Sequence, residues 1–197
     1  MEDFVLLAQI NFAEVPHLPY FPTKGICQFY VRNCFYSGED SDCRVLFFDD
    51  LITNEQELVT DFSFLPMIND EFPAFQKRIP CQLSFSIGEE AMSSFDPRAI
   101  YIFGEQDFTV DKDAIIQEEY EDKCTFGLGH KLGGYPKDMN GSLEGIDTSE
   151  WINLLQIDCD QTCGMQWGDL GMGQFLIHKS DLEKRDFSRV IHRWGCF

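Results

Sequence analysis

The sequence predicts an α+β fold that is β-rich, with an internally duplicated three-stranded β unit and a few short helices. Three pairs of segments carry that prediction. Leu7-Ala8-Gln9-Ile10-Asn11 is answered by Leu154-Leu155-Gln156-Ile157-Asp158, with Gln9 and Gln156 lying 147 positions apart. Gln28, in Gly25-Ile26-Cys27-Gln28-Phe29, is answered by Gln174 at a distance of 146, and Arg44-Val45-Leu46 by Arg189-Val190-Ile191 at 145. An offset that drifts by two residues over three anchors is what duplication leaves behind.

Each element follows from local pattern. Residues 4–12 read as a mostly apolar strand, and Val15–Pro22 as a loop set by Pro16, Pro19 and Pro22. Gly25–Arg32 is the second strand, with Ile26, Gln28 and Tyr30 on one side and Cys27, Phe29 and Val31 on the other. The polar turn at 37–42 leads into a third strand, Cys43–Phe48. The middle of the chain is less regular. A short helix is expected over Asn54–Thr60 and a strand over Cys81–Ile87, where apolar and polar residues alternate. Another short helix is expected from Gly88 until the chain nears Pro97, and a surface helix over Asp111–Lys123, capped by Asp111. The second β unit then repeats the first. Trp151–Asp158 and Met172–His178 are strands, Ser180-Asp181-Leu182-Glu183 has the capping-box form of a short helix, and Ser188–Trp194 is extended. The expected organisation is one domain over 1–197, with half-repeats at about 4–50 and 126–197 joined by a mixed segment, 51–125.

Charge narrows the partners. The chain has 34 acidic and 15 basic residues, a net charge of −19. Such a field repels nucleic acid and anionic membranes and attracts a basic protein surface; a merely solvated acidic surface gives the same balance. Between Arg44 and Lys77 there are seven acids and no base. The N-terminus is acidic where a secretion signal needs a basic region, and no stretch approaches the ~20 apolar residues of a membrane span. A cytoplasmic location is expected, with the eight cysteines reduced. None forms a Cys-x-x-Cys pair. The nearest approach to a ligand pair is Cys159-x-x-x-Cys163, which with His178 or Cys196 has the donors for zinc. Buried or incidental thiols explain these positions better, and neither a metal nor a cofactor is expected.

Signals for chemistry are few. The run Gly127-Leu128-Gly129-His130-Lys131-Leu132-Gly133-Gly134 is one residue too long for a dinucleotide fingerprint and enters Tyr135-Pro136, not a helix. Tight turns and close packing account for its glycines, which leave His130 accessible. There is no Gly-x-Ser-x-Gly elbow and no His-Glu-x-x-His helix. Gln9 and Gln156 have amides suited to satisfying backbone groups where strands cross. Asp158, Trp167 and Asp169 surround the second loop and have no acidic or Trp counterpart in the first half. The candidate binding residues are therefore His130, Gln156, Asp158, Trp167 and Asp169; catalytic residues are unknown.

The segments Gly129–Pro136, Leu154–Asp158, Met165–Asp169 and Asp186–Val190 closely resemble the YwqG-like family, and Leu7–Asn11 with Gly25 and Phe29 matches its earlier half. The resemblance covers nearly the whole chain. It implies a compact α+β protein on a duplicated β unit, of bacterial type, and it implies no catalytic residues. The closing Trp194-Gly195-Cys196-Phe197 departs from the family's Trp-Asp-Cys-Cys ending.

The function expected is a non-catalytic cytoplasmic protein-interaction module with an acidic binding face, in its sharpest form immunity- or inhibitor-like toward a basic protein. The alternative is an enzyme or small-ligand binder with a site between the halves, near His130, Asp158, Trp167 and Asp169. A further expectation concerns the glycine-rich lead-in to Gln156, which has no counterpart ahead of Gln9. Strand 4–12 should then show an apolar patch, prone to self-association, where the second half is covered. Thiol titration of the denatured, unreduced protein should find all eight cysteines free; a lower count, or stoichiometric zinc in the purified protein, would overturn that expectation.

Overall fold

A computed structural model describes residues 4–33, 43–65, 67–69, 72, 74–75, 77–94, 96, 98, 115, 118–120 and 127–197. Among these residues six strands form two antiparallel three-stranded sheets in sequential order. The first holds β1 (Phe4–Asn11), β2 (Ile26–Arg32) and β3 (Cys43–Phe48); the second holds β4 (Trp151–Asp158), β5 (Met172–His178) and β6 (Ile191–Gly195).

The register repeats as well as the order. Gln9 stands opposite Gln28, and Gln156 opposite Gln174. The pairing slips between Leu6 and Ala8 in one half and between Asn153 and Leu155 in the other, so both first strands bulge at equivalent residues. The third pair of segments needs correction. Arg44 lies opposite Tyr30 and Ile191 opposite Leu176, so Arg44-Val45-Leu46 corresponds to Ile191-His192-Arg193, and Arg189 precedes β6. A two-residue displacement leaves every side chain on its own face, which is why the sequence pattern did not expose it.

The sheets share one core. Cys27, Phe29 and Val31 are buried on one face of β2, as the alternation predicts, and join Val5, Ile10, Cys43 and Val45. Against them lie Leu155, Ile157, Phe175 and Ile177 of the second sheet. Phe29 meets Phe175 edge-on at 5.1 Å between ring centroids, and the Cys43 thiol donates to the Val190 carbonyl at 3.3 Å. Each of these contacts joins a residue to its own counterpart in the other half. Aromatic pairs of this geometry add about 1 kcal/mol beyond the area they bury.

The outer faces differ. In the first sheet Leu6, Leu46 and Phe48 are 41%, 45% and 46% exposed. In the second sheet Met172–Ile177 is buried throughout, because residues 127–150 lie across its outer side and pack Leu143 and Ile146 against Leu176 and Ile191. A strand buried on both faces loses the polar–apolar alternation that β2 keeps.

The bulges and turns explain several glycines. Gly25 and Gly171 are counterparts, and a Cβ on either would press on a carbonyl of the neighbouring strand's end, that of Phe48 or Gly195. Gly173 has a different role. It occupies the place of Cys27 in the second half, and the fully buried Trp167 ring fills the space its missing side chain leaves.

The connecting segments depart most from expectation. Only a 3-10 turn, Glu55–Glu57, forms where a helix was expected over Asn54–Thr60, with the Asn54 side chain accepting from the Gln56 N–H. Cys81–Ile87 is irregular and largely exposed, and no helix follows Gly88 before Ser94. Alternation there has no neighbouring strand to pair with among the described residues. The helix expected over Asp111–Lys123 lies mostly outside the described residues, although Ile115 and Glu118–Tyr120 are helical. The helix α1 (Lys179–Lys184) does form, but His178 caps it in place of Ser180, through an imidazole nitrogen that accepts from the Ser180 N–H. Its Arg185 end is left-handed, and the buried Asp181 pairs with Arg189.

Gly173→Ala should lower stability by about 1–3 kcal/mol, because the added methyl strikes the Trp167 ring in a filled core. Denaturant unfolding followed by tryptophan fluorescence measures this. A midpoint unchanged from the parent would show that Trp167 can move aside at no cost.

Candidate functional site

The glycine-rich segment is held on the edge of β4 by hydrogen bonds that begin at one buried amide. Gln156 and Gln174 are almost entirely buried. Gln174 Nε2 donates to Gln156 Oε1 at 2.7 Å, which turns the Gln156 amide nitrogen outward. That nitrogen donates to the carbonyls of Gly127 and Gly129, at 2.6 and 2.9 Å. The Gln156 backbone exchanges both of its hydrogen bonds with Lys131, and the Gly133 N–H donates to the Asn153 carbonyl at 2.8 Å. The Asn153 amide returns a bond to the Gly133 carbonyl at 3.1 Å. Gln156 thus serves backbone groups at a crossing, as its amide suggested.

His130 and Asp158 join the same cluster. Asp158 accepts the Gly129 N–H at 2.6 Å and the Cys159 N–H at 2.7 Å, one on each carboxylate oxygen. The Asp158 N–H donates to His130 Nδ1 at 3.1 Å, so a neutral ring carries its proton on Nε2, which faces Asp160 Oδ2 at 3.3 Å. Asp160 also accepts from the Thr162 hydroxyl and N–H, at 2.6 and 2.7 Å. These bonds, the hydroxyl's foremost, lower its carboxyl to about 2. Loops 127–133 and 159–165 are therefore stitched together by His130, Asp158 and Asp160.

The other two candidates stand apart. Trp167 is buried beneath the loop against Gly173, with its ring 5.6 Å from that of His192. Asp169 is exposed, and its carbonyl accepts the Phe197 N–H at 3.1 Å. Several participants were not anticipated. Asp160-x-Thr162 is a local turn motif that the sequence does display. Glu90 was not legible, since it arrives from 41 residues away to take two bonds of the Lys131 ammonium, at 2.9 and 2.7 Å, beside a third to the Tyr135 carbonyl at 2.6 Å, and to accept the Tyr135 N–H. Burial lowers the pKa of Lys131 against the pull of that carboxylate.

The chemistry open to this cluster is limited by its own bonding. His130, Asp160 and Cys163 bring three donor atoms within 4.8 Å of one another. Burial raises the Cys163 thiol above its ordinary value, however, and His130 Nε2 carries the hydrogen that faces Asp160 while Nδ1 is occupied. Ligation by Nε2 would require that Asp158 give up its bond to the ring. The Cys159 thiol, the other half of the spaced pair, donates to the Gly171 carbonyl at 3.2 Å.

The fold and site together define a duplicated β-sheet domain whose second half is closed by a glycine-rich clasp. The family model for a domain of unknown function, DUF1963, matches residues 2–196, and the chain belongs to that family. Comparison with curated proteins finds no match. Among the described residues no helix is long and apolar enough to cross a membrane.

Because folding holds the Asp160 carboxyl below its ordinary value, the stitch stabilises the loops above about pH 4 and is lost as pH falls toward about 2. Amide exchange at Thr162 should accelerate over that window relative to the intrinsic exchange rate at each pH. In Asp160→Asn it should already be fast at neutral pH, with the acid-dependent step gone. An unchanged profile in the variant would remove Asp160 from this role.

Proposed function

We propose that this domain is a non-catalytic protein-interaction module that meets a basic partner through an acidic face studded with apolar side chains. The observation that carries the reading is the segment 49–64. It holds Asp49, Asp50, Glu55, Glu57 and Asp61 and no Lys or Arg. Among these acids Ile52, Val59, Phe62 and Phe64 are 56–69% exposed. Acids alone make a soluble surface; large apolar groups left in water among them make an adhesive one. The acids would raise the on-rate toward a cationic surface, and the apolar groups would slow dissociation.

Bonding at the clasp supports the same reading. Its polar side chains spend their donors and acceptors on the chain's own loops, which suits a structural staple better than a catalytic one. Resemblance to the YwqG-like family favours a bacterial, cytoplasmic setting, and an immunity- or inhibitor-like role fits the sign of the charge. The alternative ligand site between the halves, with His130, Asp158, Trp167 and Asp169, is favoured by the grouping of His130, Asp160 and Cys163 alone.

Affinity capture from the native host, repeated with Phe62→Ser and Phe64→Ser combined, tests the proposal. A basic protein should be retained by the parent and lost by the variant, with its on-rate falling steeply between low and physiological salt. Identical captured sets, or an on-rate indifferent to salt, would defeat the reading.

A further inference from the structure

The two halves place the same hydrogen-bonding device at the edge of each sheet, and among the described residues only one of the two is occupied. In the second half, Gln174 orients Gln156, whose amide holds the carbonyls of Gly127 and Gly129 while its backbone pairs with Lys131. In the first half, Gln28 Nε2 donates to Gln9 Oε1 at the same 2.7 Å, and the Tyr30 hydroxyl fixes Gln28 in turn by donating to its Oε1 at 2.8 Å. Gln9 is exposed. Among the described residues nothing accepts from its Nε2 and nothing pairs with its backbone N–H and C=O, which hold the register position that Gln156 uses for Lys131.

We propose that the free edge of β1 binds an extended segment of another polypeptide, running antiparallel to β1. That segment would carry glycines two and four residues before the residue that pairs with Gln9. The glycines follow from backbone geometry. Gly127 and Gly129 have φ of 64° and 84°, and this curl brings two carbonyls onto one amide. Side chains other than glycine adopt such angles only at a cost. The contact is strand addition, in which main-chain bonds supply affinity and one amide reads the curl.

The surroundings favour a partner with some apolar character. Leu6 stands where Asn153 bonds Gly133 in the second half, so the docked segment would cover a side chain that is 41% exposed. One bond of the occupied site would be missing. Asn11 replaces Asp158 and turns its side chain to Ala13 and Glu14 of its own loop. The inference depends on the internal symmetry and not on the acidic segment, so either can fail without the other.

The probe is a capped synthetic peptide with the sequence of residues 127–135, titrated into the isotopically labelled full chain. Saturable shifts should appear at the backbone and side-chain amides of Gln9 and along Leu6–Ile10, with a Kd of about 10 μM to 1 mM. Gln9→Leu should weaken binding about tenfold or more, and so should valine at both peptide positions that copy Gly127 and Gly129. Unchanged spectra of β4–β6 in the variant verify its fold. Shifts confined to Gln156, or none up to about 2 mM peptide, would overturn the proposal. Concentration-dependent shifts at β1 without peptide would overturn it in favour of pairing between two copies of this chain.

Discussion

Two glutamine amides sealed inside the second sheet impose the constraint on which its architecture depends. A buried amide without partners costs several kcal/mol, so Gln156 and Gln174 are tolerable only when every donor and acceptor is met. Gln174 satisfies Gln156, and Gln156 then needs carbonyls that no neighbouring strand supplies. The glycine-rich segment provides them. Once it lies there, residues 139–150 follow it across the sheet and close the outer face with Leu143 and Ile146. The first sheet, with Gln9 and Gln28 at its surface, is under no such obligation.

Much of this was legible in the sequence, and the failures have physical causes. The repeated Leu-x-Gln-Ile and Gly-x-x-Gln-Phe segments located four of the strands, because duplication preserves both pattern and spacing. Cys43–Phe48 was read correctly from the polar turn before it, and the alternating faces of β2 were read correctly too. Cys81–Ile87 alternates as well and forms no strand, because alternation describes a half-buried ladder and cannot create the partner. At the clasp, Gln156 and Asp158 were singled out because they sit in or beside the repeated segments, and His130 because it stands among glycines. The place of Trp167 beneath the loop was harder to read, for a related reason. The gap it fills is created by Gly173, and a missing side chain six residues away gives no signal of its own.

The two halves have diverged in surface while keeping their frame. Both retain the bulge, the glutamine pair and the glycine that approaches the end of the third strand. What changed is the loop after the first strand and the cover over the outer face. Trp167, Trp194 and His192 make the second half heavier in rings, whereas the first packs Phe12, Phe21 and Phe47. A frame fixed by backbone bonds tolerates such replacement because its register does not depend on which side chains fill the gaps.

The self-matching contacts at the centre of the core have an implication for lineage. When Phe29 touches Phe175 and Cys43 touches Val190, each residue meets its own counterpart. A point on a surface can touch its own copy only on a two-fold axis, which is the signature of an isologous dimer. The single chain therefore retains the geometry of two half-length subunits related by a dyad. A tandem fusion of such subunits would inherit a finished core at the moment of joining, leaving the connector between them free to vary in length and sequence.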